Sequence, residues 1–585
     1  MIRIASLFSC LALVGIAESA PNSPYHPIIP RMSDQTIVLD GHDLSVDQVI
    51  QVARFGAKVA LSAEARQRSA DAFALLLEAA AEGVPVYWFN RGVGAGRENV
   101  IFRGDPLSPD NKKFLEARQL AVFKRGALAG LGPEIDEEEV VRAMLLVRAN
   151  TMSFEAASPQ LTQRLIDLLN ERITPVVYSR GTIGEGDLGP FANVAATMVG
   201  AGVAYYQGER MSAAEALRRT GLQPLAPFGA DDSALESSNS YATAQAAILL
   251  YDAREALWWA DLLYAVDLNG MNSSVSPLSQ PVQANRPFKW LNWDAARVLD
   301  MLKGSYLFEL DRARIIQDPE SLRASSIREG AAWQAWAQLR DVTMLQMNSS
   351  DHNPAIRLGA APADSWELST PQLAQFYVKG SPRNHGQHGF VLSNANWDPY
   401  PMVNEIESFT IALANMDIAV AQRIIRFTNP FFTASEHVDD SPGEPGRFHL
   451  TQGSELDAIA LMQEIQGLTN PVSPQGVGLI QNVEDLQSES RLKVNRARST
   501  VDDTIELLAE DLLTGTYWLD RRKMQQPARR FGIPTEALWT AFRSTLPMDG
   551  GDRSTGSLPI HEIAVSFIRN NPAQHFYKGT SQAPQ

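Results

Sequence analysis

Cysteine is nearly absent from this sequence, since Cys10 is the only one among 585 residues. Because it lies in an N-terminal segment that we expect to be removed, the mature chain would have no disulfide, no cysteine nucleophile and no cysteine-bound metal. Basic residues are also outnumbered, with 51 Lys and Arg against 67 Asp and Glu and a formal net charge of −16. Phosphate neutralisation needs clustered Lys and Arg, so no nucleic-acid partner is expected.

Long hydrophobic runs are missing as well, so the sequence predicts no membrane span. The nearest feature is at the start, where Arg3 supplies a positive end, residues 4–16 form a short apolar run, and the small residues Ala17, Ser19 and Ala20 follow. This order is typical of a cleavable signal peptide over residues 1–20. The expected location is therefore periplasmic or secreted.

The hydrophobic pattern predicts a mainly α fold, a long-helix bundle with a mixed α/β N-terminal domain. Apolar residues recur at helical spacing in the segments 63–81, 138–150, 159–170, 241–269, 326–346, 402–427, 454–467 and 490–513. Strand signals lie at 36–39, 84–89 and 176–178, and the most loop-like segment is 436–453. The predicted regions are an N-terminal domain at 32–220, a central helical bundle at 221–490 and a C-terminal helical region at 491–585.

One short loop gives the clearest chemical signal. Residues 181–190 read Gly-Thr-Ile-Gly-Glu-Gly-Asp-Leu-Gly-Pro, which resembles the Gly-Ser-Val-Gly-Ala-Ser-Gly-Asp-Leu-Ala-Pro loop of the histidine/phenylalanine ammonia-lyase family. In that family the Ala-Ser-Gly triad cyclises to a methylidene-imidazolone, the electrophile that activates the amino group. Here Glu185 and Gly186 stand in its place, so the loop is one residue short and has no serine. The resemblance implies a lyase scaffold with no prosthetic group and no other cofactor.

A second motif supplies the expected base. Residues 86–94 read Val-Tyr-Trp-Phe-Asn-Arg-Gly-Val-Gly, similar to the family's Val-Tyr-Gly-x-Asn-Thr-Gly-Phe-Gly. The family tyrosine is the catalytic base, so the resemblance implies that role for Tyr87. Trp88 and Arg91 depart from the family and are candidate substrate contacts. A cation such as Arg91 beside Tyr87 would stabilise a phenolate.

A third motif matches the part of the family that binds the substrate carboxylate. Residues 317–323 read Gln-Asp-Pro-Glu-Ser-Leu-Arg, similar to Gln-Asp-Pro-Tyr-Ser-Leu-Arg. The resemblance implies that Arg323 binds the carboxylate, which suits a planar guanidinium with two parallel donors. Gln317 is kept as a candidate substrate contact, and Glu320 replaces the family tyrosine.

Two later segments extend the match. Residues 394–401 read Asn-Ala-Asn-Trp-Asp-Pro-Tyr-Pro and resemble Gly-Gly-Asn-Phe-His-Ala-Glu-Pro. Asn396 thus matches the family asparagine, while Trp397 and Asp398 replace its phenylalanine and histidine. Residues 482–485 read Asn-Val-Glu-Asp and resemble Asn-Gln-Glu-Asp, which keeps the glutamate as Glu484.

Two further family positions are altered. Either Ser237 or Asn239 takes the place of the asparagine in the family's Leu-Leu-Asn-Gly segment. The family's Ser-His pair on an early helix falls at Gly126 and Ala127, so that substrate-selecting histidine is missing.

These matches predict a carbon–nitrogen lyase with an unusual leaving group. Unactivated ammonia leaves poorly, whereas a quaternary trimethylammonium leaves as a neutral tertiary amine once a base is well placed. The sequence resembles a branch of the family, the ergothionases, that lacks the prosthetic group and eliminates trimethylamine. The predicted substrate is an α-trimethylammonium betaine of an aromatic or imidazole amino acid, ergothioneine- or hercynine-like, and the product an α,β-unsaturated acid. Tyr87 and Glu185 are the predicted catalytic residues.

Two alternatives stay open. One is a lyase, mutase or hydratase acting on another aromatic acid with a good leaving group. The other is a non-catalytic periplasmic binding protein derived from a lyase. The resemblance further implies a small zwitterionic substrate and a homotetramer with composite active sites. No metal site is expected, since His385 and His388 lie in a loop without a carboxylate motif.

Overall fold

The computed structural model describes residues 25–312, 314–429, 454–474, 476–548, 557–579 and 584. The signal peptide predicted at 1–20 and the loop predicted at 436–453 lie outside the described residues. Among the helices in the described ranges, none combines the length and the apolar character needed to cross a membrane.

The strands are short and form small sheets. They are β1 Thr36–Leu39, β2 Lys58–Leu61, β3 Leu131–Glu134, β4 Ile173–Pro175, β5 Tyr178–Arg180, β6 Val203–Tyr206, β7 Glu209–Ser212, β8 Ala355–Leu358, β9 Tyr377–Val378 and β10 Gly389–Leu392. Strand β1 pairs with β2 in parallel, and β3 pairs with β5 antiparallel. The strand orders β4-β6-β7 and β8-β10-β9 are both antiparallel.

Helices of moderate length alternate with these strands in the first part of the chain. They are α1 Val46–Ala53, α2 Ala63–Glu82, α3 Pro109–Arg125, α4 Glu138–Thr151, α5 Pro159–Asn170, α6 Leu188–Met198, α7 Ala213–Thr220 and α8 Asp231–Glu236. This mixture is the predicted α/β N-terminal part.

Longer helices dominate the rest. They are α9 Ser240–Met271, α10 Gln280–Ala284, α11 Lys289–Met301, α12 Glu320–Arg323, α13 Ser325–Met347, α14 Pro371–Ala374, α15 Tyr400–Phe427, α16 Ser454–Thr469, α17 Ser490–Gln525, α18 Ile533–Thr545 and α19 Ile560–Asn570. Helix α9 is buried on every side over most of its 32 residues, as expected for a helix without a polar face. It packs against α13 and α17, and α15 packs against both of these. The predicted mainly α, long-helix bundle is confirmed.

The strand predicted at 84–89 is wrong, because this segment is a turn. Trp88 has a φ of 55°, a left-handed conformation that an extended strand cannot contain. The N–H of Arg91 returns to the carbonyl of Val86. The buried Asn90 side chain bonds both Val84 and Val86 and closes the turn. The division of the chain at residues 220 and 490 stays a prediction.

Candidate active site

The loop at 181–190 is shaped by glycines. Gly181, Gly184 and Gly186 have φ values of 104°, 90° and 97°, which side chains other than glycine rarely adopt. A Cβ at Gly184 would lie 2.0 Å from the Oγ of Ser488, at the entrance to α17. The Ser488 hydroxyl donates to the carbonyl of Gly184 over 2.8 Å. The loop is therefore tied to the start of the longest helix of the bundle.

Asp187 fixes the other end of the loop. Its buried carboxylate accepts from the N–H groups of Tyr241 and Ala242 at 3.0 and 3.3 Å, which are free donors in the first turn of α9. It also accepts from the Thr182 hydroxyl at 2.9 Å. Burial raises the pKa of Asp187 to about 7, although each of these hydrogen bonds lowers it. The loop thus lies at the N-terminus of α9, with its position set by one carboxylate.

Replacing Asp187 by alanine should lower the free energy of unfolding by about 2–4 kcal/mol, because three buried donors lose their acceptor together. Chemical denaturation followed by circular dichroism measures this. Asp341→Ala is the matched control, since that carboxylate is 65% exposed on α13. Equal stability of the two variants would show that Asp187 does not anchor the loop.

Glu185 occupies the position of the missing triad. Its side chain is buried, and its Oε2 has no hydrogen-bond partner among the described residues. The pKa of Glu185 is raised to about 8, chiefly by burial and also by the nearby carboxylates of Asp398 and Glu484, whereas a backbone hydrogen bond from Ser488 lowers it. Two carboxylates from distant parts of the chain therefore act on Glu185. An unpaired buried carboxylate of this kind is a common mark of a functional site.

Tyr87 lies close enough to Glu484 for that carboxylate to act on its hydroxyl. Its hydroxyl oxygen accepts from the N–H of Gly94 at 3.3 Å. Burial raises the pKa of Tyr87 and the Glu484 carboxylate adds to the rise, whereas the Gly94 N–H and the guanidinium of Arg97 lower it. The cation that acts on Tyr87 is Arg97, where the sequence suggested Arg91. Arg97 has no counterpart in the family motif, and only its place in the glycine-rich loop at 94–97 could have indicated it.

Trp88 has an uncommon backbone conformation. The family motif has glycine at this position, which suits the φ of 55° that Trp88 adopts here. A bulky residue in that region costs on the order of 1–3 kcal/mol and persists only when its surroundings hold it. The indole N–H donates to Asp232 at 3.1 Å, and the Gln119 amide braces the same carboxylate at 2.8 Å. The Trp88 ring meets Tyr87 edge to face, with centroids 6.2 Å apart.

Glu484 lies at the end of a turn whose residues have left-handed backbone conformations. Ile480, Gln481 and Asn482 all have positive φ values, and the turn closes with the Leu479 N–H donating to the Glu484 carbonyl over 2.7 Å. A Cβ at Gly94 would lie 2.8 Å from the side chain of Ile480, so the Tyr87 loop rests on this turn. Burial raises the pKa of Glu484.

Asp398 lies two residues before the start of α15, in a third segment of the chain. Its Oδ1 accepts from the N–H of Tyr400 at 2.9 Å, which orients the carboxylate. Trp397 beside it is half-buried. Asn396 is exposed, and its N–H donates to Asn394 at 2.7 Å.

Asn239 is the better placed of the two residues proposed for the family asparagine. Its Oδ1 accepts from the N–H of Gly186 at 3.4 Å, and its buried Nδ2 has no acceptor among the described residues. Ser237 is also buried, but its hydroxyl accepts from Asn353 at 3.4 Å. Asp351 holds the backbone of Asn239 at 2.8 Å, and the buried Arg148 pairs with Asp351 at 3.2 Å. A fully buried ionic network therefore supports the side of the loop that carries Asn239.

The carboxylate-binding motif lies elsewhere in the chain. Arg323 ends the short helix α12, where its guanidinium contacts the Asp318 carbonyl at 3.1 Å and the Glu320 carboxylate at 3.2 Å. Glu320 is 84% exposed and Gln317 is exposed. Both hydrogen-bond acceptors of Arg323 in the structure, Asp318 and Glu320, belong to the same segment 317–323. Its role, and those of Gln317 and Glu320, stay predictions.

Gly126, which takes the place of the serine in the family's early Ser-His pair, is packed against α6. A Cβ at this position would lie 2.0 Å from the carbonyl oxygen of Ala192 on α6, so the backbone of the two helices is in direct contact. A serine cannot be accommodated there without moving α6. The glycine at this position thus fits the packing of α3 against α6.

The described site combines a helical bundle with the buried carboxyl of Glu185, on which Asp398 and Glu484 act, and with Tyr87, on which Glu484 acts. The family model of aromatic amino acid lyases matches residues 44–544. The chain belongs to the aromatic amino acid lyase family and is a carbon–nitrogen lyase by class.

Relatives in the family are similar over most of their length. A histidine ammonia-lyase of Caldanaerobacter subterraneus subsp. tengcongensis is 27% identical over 497 residues, 83% of this chain and 88% of the relative. A histidine ammonia-lyase of Symbiobacterium thermophilum is 28% identical over 534 residues, covering 91% and 96%.

Solved structures agree with the fold. Ergothionase from Treponema denticola, an ergothioneine-degrading enzyme solved with desmethyl-ergothioneine sulfonic acid, superposes with a TM-score of 0.77 at 24% identity, covering 92% of this chain and 99% of that one. Histidine ammonia-lyase from Trypanosoma cruzi gives a TM-score of 0.75 at 21% identity, covering 93% and 95%. At these identities the comparison establishes the fold alone.

Proposed function

We propose that this protein eliminates trimethylamine from an α-trimethylammonium betaine of an aromatic or imidazole amino acid, without a prosthetic group. The observation that carries the proposal is the buried Glu185 carboxylate, with an unpaired oxygen, in the loop that carries the electrophile in the family. Glu185 and Gly186 offer no serine from which that electrophile forms. The chemistry must therefore come from side chains and from the leaving group itself.

The charge of the site favours a cationic substrate. The carboxylates of Asp398 and Glu484 repel the negative charge of Glu185 and so raise the pKa of Glu185. A quaternary ammonium offsets this repulsion and needs no hydrogen-bond acceptor, because it has no N–H. Aromatic faces complete the recognition of such groups, and Trp88 lies beside Tyr87 to provide one.

The elimination balances without an added reagent. The Tyr87 phenolate takes a proton from the β-carbon, the C–H electrons form the α,β double bond, and the C–N pair leaves with neutral trimethylamine. The phenol then returns its proton to solvent. Arg97 lowers the pKa of Tyr87, and a bound cation would lower it further, so the substrate helps to create the base. We assign binding of the substrate carboxylate to Arg323.

The ergothionase of Treponema denticola supports the choice of leaving group. That enzyme degrades ergothioneine, and this chain shares its fold over 92% of this chain's length. The histidine ammonia-lyase relatives support an imidazole or aromatic ring in the substrate. We extend the proposal to export of the enzyme behind a signal peptide and to assembly as a homotetramer.

A substrate panel tests the proposal directly. Purified protein is incubated with ergothioneine, hercynine, histidine, phenylalanine and tyrosine, and free amine is measured together with unsaturated-acid absorbance. We expect trimethylamine from at least one betaine and no ammonia from the plain amino acids. Ammonia from histidine, together with a mass deficit from a dehydrated triad in the intact protein, would overturn the proposal.

Betaine binding should also depend on pH through Glu185. The pKa of Glu185 is about 8 in the free protein, so below that pH a cation must displace its proton to bind. The dissociation constant should therefore fall by about tenfold per pH unit from about pH 6 to pH 8 and level off above. Calorimetric titration with hercynine measures this.

Glu185→Gln should abolish the pH slope and weaken binding at about pH 8 by at least about tenfold, since the amide has no charge to offer. Glu98→Gln is the matched control, because Glu98 is exposed and lies directly after the glycine-rich loop at 94–97. A slope that persists in Glu185→Gln would show that another group binds the cation.

A further inference from the structure

A second acidic cluster lies inside the helical bundle, on three helices. Asp261 is on α9, Asp294 on α11 and Glu329 on α13, and the side chains of all three are 0% exposed. One oxygen from each carboxylate lies within 4.8 Å of the other two. We call these three residues the bundle triad.

The bundle triad has oxygens that the protein leaves without donors. Three carboxylate oxygens have no hydrogen-bond partner among the described residues. They are both oxygens of Asp294 and Oε2 of Glu329. The Asp261 carboxylate, by contrast, accepts from Arg297 at 2.9 Å and from the Trp333 indole at 3.1 Å. A fully buried carboxylate without any donor is very costly, so something must compensate Asp294.

The neighbouring carboxylates increase the buried negative charge that must be compensated. Glu329 also accepts from the buried Arg423, which is shared with Asp267 and Asp511. In this part of the described bundle, five carboxyl groups thus share the two guanidinium groups of Arg297 and Arg423, an excess of three negative charges. Buried charges in proteins are normally paired, protonated or bound to a cation.

A shared proton satisfies only part of the cluster. The Asp261 carboxyl is within hydrogen-bonding reach of Asp294, and one proton between them would satisfy one oxygen of each. The second oxygen of Asp294 and Oε2 of Glu329 would stay without a partner. A cation at the centre contacts all three carboxylates at once.

We infer that the bundle triad binds a divalent cation that prefers oxygen ligands, of the Ca²⁺ or Mn²⁺ class. Carboxylates alone, with no sulfur or imidazole, are the ligands that such ions select. The ion would join α9, α11 and α13 at one point. Helix α13 begins two residues after Arg323, so the same point would brace the segment that carries the proposed carboxylate ligand.

Metal analysis of the purified full-length chain tests the inference without any assay of activity. After dialysis against metal-free buffer and release by unfolding, we expect about one divalent ion per chain. Mn²⁺ added to protein that has been unfolded and refolded with chelator should give the electron paramagnetic resonance signal of an immobilised ion. Ca²⁺ or Mn²⁺ should raise Tm, because each binds only the folded state.

Asp294→Asn separates a cation from a shared proton. An amide can donate to Asp261, so a shared-proton cluster tolerates this change and stays indifferent to metal. A cation site instead loses the bound ion and the metal-dependent rise in Tm. Asp341→Asn, exposed on α13, should keep both.

Equal metal content in wild type and Asp294→Asn means an adventitious ion only and overturns the inference. So does wild-type protein that contains no ion and whose Tm does not respond to Ca²⁺ or Mn²⁺. If Asp294→Asn does not fold, the wild-type response to the two ions decides. None of these outcomes depends on betaine turnover, so failure here leaves the proposed function standing.

Discussion

Replacing Tyr87 by phenylalanine should lower kcat for betaine elimination by about 10²–10⁴-fold, the usual effect of removing a general base. The change deletes only the hydroxyl, whose hydrogen bond in the structure is the one from the Gly94 N–H. The ring still faces Trp88, so betaine affinity should change by less than about threefold. Trimethylamine release gives kcat, and calorimetry with hercynine gives the affinity.

The control is Tyr206→Phe, which removes a hydroxyl that accepts only from the neighbouring Gln207 on an exposed strand end. Its kcat should match wild type. Unchanged turnover in Tyr87→Phe would assign the base elsewhere, and Glu484, the carboxylate whose charge acts on that hydroxyl, would be the next candidate. Lost binding with intact turnover of bound substrate would make Tyr87 a positioning residue.

The long helices could be predicted from sequence because their pattern is strong over many turns. The segment 159–170 coincides with α5 Pro159–Asn170, and 402–427 lies within α15 Tyr400–Phe427. Helix α17 runs to Gln525, beyond the predicted end at 513, because its buried face continues through Trp518 and Leu519. Burial sustains a helix where the periodic signal fades.

The turn at 84–90 could not be predicted from pattern alone. Its aromatic and β-branched residues favour a strand, but the Asn90 side chain bonds two backbone groups and Trp88 takes a left-handed conformation. That conformation depends on Asp232, which is 144 residues away in sequence. A tertiary contact thus overrides the local preference.

The sequence predicted which acidic residues belong to the site, but it did not predict how they are arranged or which other residues contact them. Glu185, Asp398 and Glu484 could each be placed by motif, and in the structure Asp398 and Glu484 act on the charge of Glu185. The roles of Arg97 and Asp232 could not be placed, because neither belongs to a motif. Asp294 was equally hidden, since 33 and 35 residues separate the members of the bundle triad.

Arg323→Gln should lower kcat/KM for a betaine by about 10²–10³-fold, because a bidentate charged contact with the carboxylate is lost. Steady-state kinetics on trimethylamine release measures this. Arg328→Gln is the control, since Arg328 lies five residues further on in the first turn of α13, is exposed and donates to the side chain of Asn415. A similar loss in both variants would indicate damage to α13 instead of a lost substrate contact.

The same variant tests whether the active site is composite. In the single chain, Tyr87 contacts its own loop while Arg323 contacts Asp318 and Glu320, which belong to its own segment. If the homotetramer brings the two together from different chains, coexpressed Tyr87→Phe and Arg323→Gln chains form mixed oligomers. In these, about a quarter of the sites combine an intact Tyr87 with an intact Arg323. Activity should then return to about a quarter of wild type, although each variant alone is nearly inactive. Coexpression without recovery, in oligomers shown by mass to be mixed, would place both residues of a site in one chain.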